Sequence, residues 1–154
     1  MAVAVAEVER SRRIAAPTEQ VYARIADVEG IVAMLESLRS WEAMDDDGAY
    51  RFTLRSYSAL GYRFQPEAEL RMTWTEPQGV TFEPVGESAR RAAANGAIEL
   101  EHIDGRTTAR IRVDLRLELP IPKLLTGAAA AVLRHELSSG FDRMLRRLDE
   151  ATTA

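Results

Sequence analysis

The sequence predicts an α+β domain: a seven-stranded, curved antiparallel sheet around a long C-terminal helix, with two short helices between the first and second strands. Three observations lead there. Ala109, Ile111, Val113, Leu115, Leu117 and Leu119 alternate with Arg110, Arg112, Asp114, Arg116 and Glu118, and a side-chain period of two places one such set in a core and the other in water. Beyond Pro120 and Pro122 the period changes, and Leu125, Ala129, Val132, Leu133, Leu137, Phe141, Met144, Leu145 and Leu148 fall on one side of a helix over residues 123–151. Between residues 39 and 119 short alternating runs are separated by turn residues, as in strands joined by hairpins.

The first strand is expected over residues 7–14. Pro17 then suits a first helical position, and Val21, Tyr22 and Ile25 form an apolar face. Asp27 to Gly30 interrupts this helix, and Ile31, Met34, Leu35 and Leu38 continue with helical spacing. A second strand is expected over residues 40–44, followed by a turn at Asp45-Asp46-Asp47-Gly48. Tyr50, Phe52 and Leu54 face one way in the third strand, opposite Arg51, Thr53 and Arg55. A turn near Leu60-Gly61 leads to a long fourth strand, residues 62–74, with Tyr62, Phe64, Ala68, Leu70, Met72 and Trp74 on one face. The fifth strand is residues 80–82, and residues 83–94 read as an irregular or partly helical connection. Asn95-Gly96 precedes the sixth strand, whose Ile98, Leu100 and His102 share a face before the Asp104-Gly105 turn. In the seventh strand a one-residue slip buries four or five charges, so its register is strongly specified.

Composition narrows the function classes. At 154 residues the chain is long enough for one core, and residues 1–154 are read as one domain. No apolar run approaches the roughly 18 residues of a membrane-spanning helix. The apolar opening Met1-Ala2-Val3-Ala4-Val5-Ala6 lacks a basic flank and is too short for a signal peptide, so a cytoplasmic protein is expected. With no cysteine, disulfides, thiolate metal sites and cysteine nucleophiles are excluded. Net charge is −4, and the basic residues, all arginine except Lys123, are scattered rather than gathered, which argues against nucleic acid.

Few residues carry chemistry. His102 is the histidine whose parity points inward, readable as a strand-end histidine beside a turn, a ligand contact or a general base. His135-Glu136-Leu137-Ser138 lacks the second histidine of a zinc helix, and three consecutive aspartates in a turn diverge, so no metal site is expected. Arg10 and Arg12 share parity with Val8 and Ile14. Either the first strand is bulged, or these arginines sit at an edge, or one reaches inward toward the acidic headgroup or carboxylate of a ligand. The rings of Tyr50, Phe52, Tyr62, Phe64, Trp74 and Phe82 are core by parity. Where the helix offers only Gly127, Ala128, Ala129, Ala130 and Ala131 they line a pocket, unless the helix packs closely on the sheet. Gly140 in mid-helix allows a bend around such a hollow.

The element order resembles the helix-grip fold of the START/Bet v 1-like (SRPBCC) superfamily. Ile14-Ala15-Ala16-Pro17-Thr18-Glu19-Gln20-Val21-Tyr22 is similar to the superfamily's opening, and Gly105-Arg106-Thr107-Thr108-Ala109-Arg110-Ile111 is similar to the turn and strand before its last helix. The resemblance implies binding or carriage of a small hydrophobic molecule (lipid, polyketide or other aromatic) in a cavity between sheet and C-terminal helix. Phe52, Leu54, Phe64, Trp74, Phe82, Leu100, His102, Ile111 and Val113 are then the candidate lining from the sheet, and Ala129, Leu133 and Phe141 from the helix. No catalytic residue and no cofactor is assigned. The expected partner is the small molecule, without nucleic acid or integral membrane association, and the chain is a monomer or homodimer. Two alternatives stand: a polyketide cyclase/dehydratase-like enzyme in which His102 acts on a bound ring, and a protein-interaction or co-chaperone-like module using an exposed sheet edge or helix.

Overall fold

A computed structural model describes residues 2–45, 47–59 and 61–153. Met1, Asp46, Leu60 and Ala154 lie outside the described residues, and with them the expected turn positions at Asp46 and Leu60. The strands are β1 (Ala2–Ile14), β2 (Leu38–Ala43), β3 (Ala49–Leu54), β4 (Tyr57–Ala59), β5 (Tyr62–Phe64), β6 (Glu67–Thr75), β7 (Gly79–Pro84), β8 (Ala92–Ile103) and β9 (Arg106–Leu119). The helices are α1 (Thr18–Ile25), α2 (Val28–Met34) and α3 (Thr126–Thr153). Seven strands form one antiparallel sheet in the order β1-β9-β8-β7-β6-β3-β2, and β4 and β5 make a separate hairpin. The expected fold class is the observed one: a curved seven-stranded sheet, a long C-terminal helix, and two short helices between β1 and β2.

β1 starts five residues before the expected strand. Ala2, Ala4 and Ala6 are buried while Val3 and Val5 are exposed, so the apolar opening is itself a strand, paired with β9 from Ala2↔Leu119 to Ile14↔Thr107 without a register shift. There is no bulge. Arg10 and Arg12 keep the parity of Val8 but are exposed, and their guanidiniums reach Asp142 (3.4 Å) and Asp149 (2.8 Å) on the flank of α3.

The corner between β1 and α1 is closed by buried hydroxyls. Thr107 is fully buried in β9; its Oγ1 donates to the Ala16 carbonyl at 2.7 Å and lies 3.3 Å from the Thr18 hydroxyl. Pro17 takes the N-cap position with extended backbone rather than the first helical one, and Asp27 caps α2 by accepting from the Gly30 amide at 2.7 Å. The chain leaves the helix at Leu35, so Leu38, expected on this helix, instead opens β2.

Two further elements depart from expectation, each through a glycine or proline. The long fourth strand is divided: Pro66, which has no N–H for a ladder, separates β5 from β6, and Tyr62 is 36% exposed on the small hairpin. Asn95-Gly96 is not a turn before the sixth strand but lies inside β8. There a Cβ on Gly96 would stand 1.9 Å from the Arg112 carbonyl oxygen, so glycine permits close approach of β8 and β9 rather than reversal. Residues 92–94, expected in the connection, are consequently strand, and within the connection Glu87–Arg90 forms a 3-10 turn. Asp104 (φ 50°) and Gly105 (φ 76°) do make the tight β8–β9 hairpin.

α3 is a continuous helix through Gly140 that buries Ala129, Leu133, Gly140, Phe141, Met144, Leu145 and Leu148. Val132, expected on that stripe, is 37% exposed. The backbone of α3 runs along β1. Alanines at 2, 4 and 6 on β1 leave room for that close approach, and the neighbouring strands are then spanned at a greater distance.

Candidate ligand-binding cavity

Between α3 and the middle strands lies a cavity of about 110 Å³. Its floor is β3, β6, β8 and β9, contributed by Phe52, Leu54, Ala68, Leu70, Met72, Ala92, Ala94, Ile98, Ile111, Val113, Leu115 and Leu117, with Phe82 of β7 at its side. Leu137, Phe141 and Met144 of α3 roof it, and Ile31, Leu35, Ser37, Leu38 and Pro66 close one side. Ser37 is the one polar side chain in this lining, and none of these residues is titratable. Two larger hollows, of about 390 and 680 Å³, are lined in part by charged side chains, Glu99, Glu101 and Arg110 in one and Glu67, Glu87, Arg90, Arg91 and Glu118 in the other. They lack the apolar walls that small-molecule sites favour.

The room comes from the sheet, not from the helix. Gly127, Ala128 and Ala131 are exposed, and none of the small residues from 127 to 131 borders the cavity. The short side chains that hollow the floor are Ala68, Ala92 and Ala94.

Of the twelve candidate lining residues, Phe52, Leu54, Phe82, Ile111, Val113 and Phe141 border the cavity and the other six do not. Trp74 is half-buried, and its indole Nε1 donates to the Ile25 carbonyl at 2.8 Å, fastening β6 to the end of α1. It also stacks edge-on with Tyr50, as does Trp41, so these three rings fill one end of the core (centroids 6.4 and 5.9 Å apart). Phe64 borders the charged hollow beside Arg90 and Arg91, and Leu100, Ala129 and Leu133 are buried away from the cavity. His102 is exposed near the hairpin end of β8. Ala68, Leu70, Met72 and Ile98 had the right parity in the sequence; Ala92 and Ala94 were hidden in the supposed connection.

A ring of charge surrounds the side formed by residues 35–38. The Arg55 amide donates to the Ser37 carbonyl at 2.9 Å, and its guanidinium meets Glu136 at 2.6 Å, next to Leu137. Glu36, between Leu35 and Ser37, is held by Arg143 (3.1 Å) and by Arg147. Elsewhere in the domain, burial pushes the Tyr22 phenol above its ordinary value, and the charge of Glu76 adds to the effect. Among the described residues no three His, Asp or Glu side chains are grouped to hold a metal ion, and no helix is long and apolar enough to cross a membrane.

The family described as polyketide cyclase / dehydrase and lipid transport matches residues 5–151. No curated protein matches the chain. Among solved structures, a Thermus thermophilus protein is similar at 20% identity over 96% of this chain and 97% of its own (TM-score 0.67). The di-domain ARO/CYC protein BexL of the BE-7585A biosynthetic pathway is similar at 16% identity over 97% of this chain and 50% of its own (TM-score 0.68). A START superfamily protein from Mycobacterium smegmatis is similar at 14% identity over 95% of this chain and 99% of its own (TM-score 0.61).

Proposed function

The chain belongs to the polyketide cyclase / dehydrase and lipid transport family, and on that premise we propose that it binds a small hydrophobic molecule between sheet and α3. The lining supports this: a wall of aliphatic and aromatic side chains that presents no polar surface favours an apolar guest through desolvation alone. Its volume bounds that guest. At about 110 Å³ the hollow is smaller than the roughly 150 Å³ that accommodates benzene in a dry engineered cavity, so a few methylenes or part of a ring occupy it and the rest of a guest such as indole or 1-octanol extends into its mouth. The cyclase-like alternative has less support, because general acid–base chemistry needs a titratable group at the substrate and His102 lies outside the cavity.

Native mass spectrometry of protein purified from its own host tests the reading. The expected result is a non-covalent adduct that organic extraction removes. A protein of bare chain mass, which after extraction also takes up neither indole nor 1-octanol, overturns it.

A further inference from the structure

The ligand class follows from the charge at the rim, given the apolar site proposed above. Arg143 and Arg147 lie one turn apart on α3, and among the described residues the carboxylate that meets them, Glu36, comes from the segment at one side of the cavity. Two guanidiniums thus meet one carboxylate whose chain neighbours on both sides line the apolar hollow. Across the same rim Arg55 meets Glu136. Glu36 sits between Leu35 and Ser37, both in the lining, and Arg143 precedes Met144 in the roof.

We propose that the bound molecule is an anionic amphiphile, a short alkyl or single-ring carboxylate, whose apolar body fills the cavity and whose carboxylate takes the place of Glu36 on Arg143 and Arg147. Guanidinium pairs match carboxylates in geometry and charge. The Glu36 side chain is then a built-in competitor: it holds the closing segment on α3 in the empty protein and yields to the ligand's own carboxylate. All these ion pairs are partly exposed, with side-chain exposures of 38% to 41% for Glu36, Arg143 and Arg147. Exchange of one carboxylate for another is therefore close to balanced, and the apolar body tips it.

Octanoate and 1-octanol, which share a tail and differ in charge, separate the two parts of the idea by calorimetric titration of the extracted full chain. In the unmodified protein, where one carboxylate only replaces another, octanoate and octanol bind about equally. Glu36→Gln removes the competitor and makes octanoate several-fold tighter than octanol, an advantage that shrinks at about 0.5 M salt as the charges are screened, while the double variant Arg143→Gln/Arg147→Gln brings the ratio to one or below. The contrast between the variants distinguishes recognition from damage to the fold, which lowers both affinities. Equal affinity for octanoate and octanol in all three proteins overturns the anionic class and leaves the apolar site standing. Binding of neither by any of them overturns the apolar site as well.

Discussion

Ala68→Leu puts the cavity itself to the test. Ala68 is buried in β6 and borders the hollow, so a leucine adds three carbons to a space of about 110 Å³. At roughly 0.8 kcal/mol per buried methylene the substitution stabilises the empty protein by up to about 2.4 kcal/mol. The independent figure of about 24 cal/mol for each Å³ of cavity gives about 2.6 kcal/mol for filling it completely, so the two estimates agree. Phe52 stands directly across in β3, and its crowding takes back part of the gain; a net stabilisation of about 1–2 kcal/mol is expected, or roughly 2–8 °C in Tm for a chain of this size. Urea denaturation of extracted protein, followed by tryptophan fluorescence, reads the change, and titration with 1-octanol reads the accompanying loss of affinity. The opposite sign is the refutation. In a fully packed interior the same leucine costs about 1–3 kcal/mol, and a Tm that falls by several degrees shows that there is no hollow to fill.

Thr107→Val keeps the shape of a fully buried side chain but leaves the Ala16 carbonyl without its donor; a loss of about 1–3 kcal/mol is expected in denaturant titration, and a change below about 0.5 kcal/mol removes the hydroxyl pair from the account of the β1–α1 corner. Gly140→Ala adds a methyl that meets no atom within 4 Å, in mid-helix, and is expected to raise stability by about 1 kcal/mol through helix propensity; destabilisation in thermal melts contradicts an unobstructed helix at that point. The raised Tyr22 phenol gives the fold an alkaline sensitivity. Because the folded protein holds this proton more tightly than the unfolded chain, the contribution is complete below the unfolded value near 10 and falls away as pH rises through the folded one. Tyr22→Phe should flatten that alkaline decline in stability, and an unchanged pH profile rejects the assignment.

The sequence disclosed the fold where a period met a penalty. In β9 alternate charges make any slipped register costly, and the buried set from Ala109 to Leu119 is the expected one. Asp104-Gly105 reversed the chain because both residues adopt positive φ. Asn95-Gly96 has the same look, yet its glycine answers to the Arg112 carbonyl pressing on β8, a neighbour on the adjacent strand that no local pattern displays. Part of the floor is hidden with it, since a turn at Asn95-Gly96 places Ala92 and Ala94 in a connection rather than in β8. Small residues do make the hollow, but on the sheet and not on the helix where the sequence points to them: parity states which way an alanine faces, not how far the opposite wall stands. The rim was illegible for a similar reason, since Glu36 finds Arg143 and Arg147 more than a hundred residues on.

The lopsided seating of α3 separates two jobs that proteins often entangle. The seam along β1, with its alanines and the outlying Arg10–Asp142 and Arg12–Asp149 pairs, keeps the helix in place, whereas Ala68, Ala92, Ala94 and Leu137 shape the chamber without belonging to that seam. Chamber and seam are thus independently adjustable. A library randomised at those four positions should yield many folded members with altered guests, and the same number of changes spread over Ala2, Ala4, Ala6 and Ala129 should yield few.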